Sequence, residues 1–148
     1  MDRKVFKMNL IQSEIELTIK NLMQVLNSYG KSKAPPNPSD FEAFFYHELK
    51  LTRNIKPFCS NLNDFIKNIS HLQSKLIEFK YKYKKKLLTI DPEESRAAIY
   101  FEIEGAHHLD KNVYCQVSAS LYFVDGKIKE WNEVLYTKGI GREIFNYY

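Results

Sequence analysis

Few side chains in this sequence have both the chemistry and the setting for catalysis, and the best placed sit in its last third. His107 shares strand parity with Ile99, Phe101, Ile103 and Gly105, and Glu133 stands two residues after Trp131 and two before Leu135. Histidine titrates near neutral pH and suits proton transfer. A carboxylate beside tryptophan in an apolar enclosure is desolvated, which raises its pKa toward that of a general base. His107 and Glu133 are therefore the candidate catalytic residues, with acid–base chemistry as the reaction type. The plainer reading makes His107 a rim or core histidine bonded to backbone and pairs Glu133 with a lysine.

Other constellations carry less. His47, His71, His107 and His108 together with Asp110 invite a metal reading, yet no spacing among them matches a ligand pattern such as two histidines four apart with a glutamate. His107 and His108, adjacent on a strand, should point to opposite faces. No metal and no cofactor are expected. Gly139-Ile140-Gly141-Arg142 has no strand-to-helix context and reads as a flexible connector to Ile144 and Phe145.

The elements that must position these groups follow from periodicity. Residues 97–104 and 113–123 alternate apolar and polar, so each forms a strand with one apolar face. Phe101, Ile103, Val117, Ala119, Leu121 and Phe123 on those faces are the candidate ligand-contacting positions. Asp125-Gly126 turns the chain into a last strand. If Val124-Asp125-Gly126 is a three-residue loop, Phe123 pairs with Lys127, and Trp131, Glu133 and Leu135 face inward. If Asp125-Gly126 is a two-residue turn, Phe123 pairs with Ile128, and Glu130 and Asn132 face inward instead.

Three helices are expected ahead of these strands. The first spans 14–29, opened by a Ser13/Glu16 capping box and stopped by Gly30. A proline-rich surface loop follows over 31–38. The second helix starts at Ser39 and buries Phe41, Phe44, Phe45 and Leu49, and a short extended piece covers 51–58. The third spans 62–76 with Asn61 as its cap. Strands are then expected at 78–90, 96–108, 112–124 and 127–137.

The chain has 148 residues and a net charge of +4, which fits one domain. Only four arginines (Arg3, Arg53, Arg96, Arg142) stand among its basic residues, a weak argument against base or phosphate readers, which lean on arginine forks. Lys80, Lys82, Lys84, Lys85 and Lys86 form the densest charge run. A hairpin centred near residue 93 sets Lys82 against Glu104 and Lys84 against Glu102, giving a salt-bridged outer face. An anion-binding patch is the alternative. Two cysteines, Cys59 and Cys115, are too few for a disulfide scaffold. With no apolar leader and no run of 18 apolar residues, a cytoplasmic protein without membrane or nucleic-acid partners is expected. Tyr100, Tyr114 and Tyr122 on the outer sheet face suit a homodimer.

Two segments carry a family resemblance: Glu104-Gly105-Ala106-His107, and Leu121 to Trp131 (LYFVDGKIKEW) followed by Asn132-Glu133-Val134-Leu135-Tyr136. With three preceding helices, the chain resembles the SnoaL-like branch of the nuclear transport factor 2-like superfamily from about Glu14 to Tyr136. The resemblance implies an α+β cone, with three N-terminal helices packed in the concavity of a strongly curved, mostly antiparallel sheet. It implies a single domain over 1–148 with terminal extensions at 1–12 and 138–148, and it usually implies a dimer. It also places pocket residues at Trp131 and Leu135. It does not imply one activity. The catalytic places of ketosteroid isomerases fall near Leu22, Lys56 and Ala119, none of which has the needed group. The readings that remain are a small apolar or ring-containing ligand bound in the cone, with acid–base turnover as cyclase, isomerase or hydratase, and a noncatalytic dimeric module of the same fold.

Overall fold

A seven-stranded mixed sheet curls around two long helices in a computed structural model that describes residues 2–109 and 112–145. Helix α1 runs from Arg3 to Lys31 and α2 from Leu62 to Lys75. The strands are β1 (Phe45–Arg53), β2 (Lys56–Cys59), β3 (Glu78–Tyr83), β4 (Thr89–Asp91), β5 (Arg96–Ala106), β6 (Val113–Val124) and β7 (Lys127–Thr137). A short helix, α3 (Gly141–Phe145), follows β7. The strand order is β2-β1-β7-β6-β5-β3, with β4 also on β5, and only β1–β7 is parallel.

Four sequence expectations need correction. The helix expected from Ser39 is a 3-10 turn over Pro38–Asp40 that leads into β1. Phe41, Phe44, Phe45 and Leu49 fit a helical stripe, but Leu49, Leu51 and Arg53 also fit a strand's period of two, and pairing with β7 decides between them. Helix α1 begins at Arg3, with the Asp2 carboxylate accepting from the Lys4 N–H at 3.2 Å, so Ser13 does not cap it. Gly30 does not stop the helix. It is buried in the last turn because β3 passes so close that a Cβ there would lie 2.0 Å from the Phe79 carbonyl oxygen. Finally, the strand expected over 78–90 is broken. Residues 84–88, which include a 3-10 turn, stand opposite only Ile99 and Tyr100 of β5. Those three extra residues leave β3 two residues from the expected register, so Lys80 pairs with Glu104 and Lys82 with Glu102. The expected ion pairs nonetheless form diagonally, Lys82–Glu104 at 2.7 Å and Lys84–Glu102 at 3.7 Å.

Most other elements match their sequence signals, except that Gly141 and Arg142, expected in a flexible connector, begin helix α3. Asn61 caps α2, its side chain accepting from the Asp64 N–H at 2.9 Å. Strands β5 and β6 bury alternate residues throughout, and β7 does so from Trp131 onward. On edge strand β3 the Asn27 side chain stands in for a missing neighbour. Its amide donates to the Tyr81 carbonyl at 3.1 Å, and its oxygen accepts the Tyr81 N–H at 2.7 Å.

The β6–β7 connection resolves the open register. Asp125 (φ 52°) and Gly126 (φ 76°) form a two-residue type I′ turn, so Phe123 pairs with Ile128. The pairing then slips by one residue. Tyr122 faces Glu130, which leaves Lys129 as a bulge. That extra residue restores parity, and Trp131, Glu133 and Leu135 all turn inward, opposite Leu121, Ala119 and Val117. Neither expected alternative foresaw a tight turn and a bulge together.

Candidate functional site

Arg53 is the last residue of β1, on the same face as Leu49 and Leu51, and it enters the apolar interior with a full charge. It is 6% exposed and Glu133 only 5%. The two meet directly, Arg53 Nε donating to Glu133 Oε1 at 2.6 Å. Trp131 Nε1–H donates to Glu133 Oε2 at 3.0 Å. Both carboxylate oxygens are thus held, each with lone-pair capacity left. The guanidinium lies 3.8 Å from the centre of the Phe58 ring and sends Nη1–H to the Phe145 carbonyl at 2.7 Å. Burying two charges is costly, and a short, hydrogen-bonded pair is the arrangement that offsets the cost.

Beside the pair lies a cavity of about 20 Å³, room for about one water. Arg53, Glu133, Trp131, Tyr81, Asn68 and Phe101 are among its lining residues. Tyr81 is a buried side chain whose hydroxyl has no hydrogen-bond partner among the described residues, and the same holds for the Asn68 side-chain amide. Burial, with the Glu133 charge adding to it and Arg53 opposing, pushes the Tyr81 hydroxyl well above its ordinary pKa. Tyr81 therefore remains a neutral donor at any working pH. Burial likewise pushes the Cys59 thiol up to about 12 and raises Cys115, so neither offers a thiolate.

The structure brings together part of the expected set. Phe101, Ile103, Val117, Trp131, Glu133 and Leu135 line the cavity. Ala119, Leu121 and Phe123 are buried on the same sheet face but do not reach it. His107 stands apart, buried just after the end of β5, where its Nδ1 accepts from the Leu109 N–H at 3.1 Å. Its ring stacks on His108 at 4.4 Å, so the two do not point to opposite faces; β5 ends at Ala106 and the alternation ends with it. Lys56 is exposed, and Leu22 and Ala119 are apolar core. No three His, Cys, Asp or Glu side chains group around a metal position among the described residues, and Asp110 lies outside them.

Sequence reasoning missed Arg53, Tyr81 and Asn68. Arg53 had a signal, an arginine on the parity of Leu51 in the extended piece expected over 51–58, but the helix expected just before it hid the longer alternation from Leu49. Tyr81 alternates with Lys80 and Lys82, which puts it on the inner side of its strand but says nothing of its hydroxyl.

No protein-family model matches the sequence, and comparison with curated proteins finds no match. Solved structures do match. One is designated a SnoaL-like polyketide cyclase, from Jannaschia sp. CCS1, at 9% identity and TM-score 0.67 over 92% of this chain and 94% of that one. The fold is the SnoaL-like cone. An LEH-like epoxide hydrolase from M. tuberculosis has TM-score 0.62 at 11% identity, covering 84% of each chain. The BvnE pinacolase from Penicillium brevicompactum has TM-score 0.67 at 8% identity, also over 84% of each. At such identities the likeness to SnoaL-like structures of the nuclear transport factor 2-like superfamily concerns the fold, and the chemistry must be read from this chain's own residues.

Proposed function

We propose that this SnoaL-like cone binds a small, largely apolar ring compound at the Arg53–Glu133–Trp131–Tyr81 cluster and acts on it by proton transfer. The observation that carries the reading is the Tyr81 hydroxyl, buried, neutral and unpartnered among the described residues, in the wall of a cavity that also holds a buried ion pair. Structural polar groups are satisfied when buried, and those left open are candidates for contact with a ligand. In this reading Tyr81 donates to a ligand oxygen, Asn68 adds a second polar contact, and Glu133 uses its free lone pairs to accept a proton. Arg53 and Trp131 hold that carboxylate in place and balance its charge. That solved neighbours of this fold include an epoxide hydrolase and a pinacolase supports chemistry inside a cone of this kind, without selecting a reaction. His107, outside the cavity lining, drops to a supporting place at the rim.

A second reading, a noncatalytic module, has one specific observation in its favour: the cavity of about 20 Å³ admits no ring compound as it stands. A second copy on the outer sheet face belongs to either reading. It is supported by the exposed Val134, Tyr136 and Tyr114 on β7 and β6.

Trp131 is the chain's one tryptophan and touches Glu133, so its emission reports on the site. A panel of neutral ring compounds should include members that shift this emission saturably in the wild type. Tyr81→Phe should weaken their binding at least tenfold while remaining folded. Equal binding by both proteins would remove the site from the reading, and a panel without effect on either would favour the noncatalytic module.

A further inference from the structure

Arg53, in the cavity wall, also carries a short helix on its far side, whose residues are not themselves part of the lining. Helix α3 packs against α2, β6 and β7, and its last two described residues, Ile144 and Phe145, are each 2% exposed. Two buried or half-buried side chains hold their carbonyls. Arg53 Nη1 donates to the Phe145 oxygen at 2.7 Å, and His71 Nε2 lies 3.1 Å from the Ile144 oxygen. The join to β7 is a glycine pair. Gly139 has φ of +64° with open space around it, while Gly141 lies so near Thr137 that a Cβ would fall 2.2 Å from its hydroxyl oxygen. A short, glycine-hinged turn is thus seated on the same guanidinium that holds Glu133.

We propose that the Ile144–Phe145 turn occupies a ligand's place, and that the ligand is an apolar ring molecule carrying one neutral carbonyl, a ketone, ester or amide, which takes over the Phe145 carbonyl's bond to Arg53 when the turn swings away. This rests on the binding reading above and adds to it the ligand's polar group and the movement that admits it. Charge balance selects the carbonyl. Arg53 and Glu133 already neutralise one another inside the protein, so a carboxylate at Nη1 would leave a net buried negative charge, whereas a neutral oxygen leaves none. The turn makes this substitution in cis, since it presents a neutral acceptor and two buried apolar side chains. A ligand that reproduces the acceptor and the apolar area can displace it with little loss.

The test uses the full chain and three naphthalene probes: 2-acetylnaphthalene, 2-naphthoate and 2-ethylnaphthalene. In the wild type, saturating ketone should speed amide hydrogen exchange across residues 141–145. In Ile144→Gly/Phe145→Gly, whose turn is undocked, the ketone should bind at least tenfold tighter than in the wild type. It should also bind at least tenfold tighter than the naphthoate or the ethyl compound. Exchange unchanged at saturation, with binding equal in both proteins, would show that the turn is no plug while leaving the ligand site intact. Naphthoate bound as tightly as ketone would overturn the charge argument. No binding of any probe to either protein would end this inference and the binding reading together. The wild-type exchange measurement stands even if the glycine variant is too unstable to use.

Discussion

Residue by residue, the site is expensive to keep. A buried hydroxyl whose partner is a cavity water and not the protein adds little to stability, so Tyr81→Phe should fold within about 1 kcal/mol of the wild type at pH 7 in urea unfolding. The variant should also differ at alkaline pH. An unfolded tyrosine ionises near pH 10, while burial keeps folded Tyr81 protonated well above that. Its contribution is therefore complete below about pH 10 and is lost as pH climbs toward the folded value. Tyr81→Phe should shallow the alkaline fall in stability without abolishing it, because Tyr29, Tyr83 and Tyr114 are also raised. Glu133→Gln is the contrasting case. The sequence gives no reason to expect it to harm folding, but the structure does, since it strands a buried guanidinium. A loss of about 3 kcal/mol is expected, and Arg53→Met/Glu133→Gln should recover most of it, a coupling that a double-mutant cycle reads directly.

At the scale of elements, one bulge reconciles a tight turn with an inward Trp131. Lys129 is the bulge that turns Trp131, Glu133 and Leu135 inward after a two-residue turn. Deleting it should remove the bulge and leave a regular ladder in which Glu130 still faces Tyr122 and Trp131 still faces Leu121, so the three side chains stay inward. The deletion variant should keep a cooperative thermal transition by circular dichroism, and loss of that transition would show that the strand needs the bulge itself. The same elements mark how much was legible beforehand. Strict alternation located β5 and β6, the Asp125-Gly126 turn located β7, and cap chemistry located α2. The bulge was not legible, because a slip of one residue is settled by which face can be buried, and Trp131-Asn132-Glu133 gives no unique answer alone. Phe41 to Leu49 misled for a related reason: a short aromatic run fits periods of 3.6 and 2 alike until a partner strand is known. The site was legible as far as Glu133 and Trp131. Arg53 lay in a short extended piece whose inner face had no known partner strand, and His107 was included because parity was extended one residue past the strand's end.

Across the whole molecule, the helices and sheet supply an enclosure, and the outer sheet face supplies a second surface. Val134 is 64% exposed and Tyr136 62%. If two copies meet there, the wild type should sediment as a dimer and Val134→Lys should shift it toward monomer with its thermal transition retained; a wild type that stays monomeric at high concentration would remove that interface. The enclosure is the central matter, and electron density inside the cone of a crystal tests it most directly. With the C-terminal turn docked, one ordered water should sit in the cavity within hydrogen-bond distance of the Tyr81 hydroxyl, or a copurified ring compound should replace the turn at Arg53. A dry cavity with Tyr81 bonded elsewhere in the protein would contradict the account.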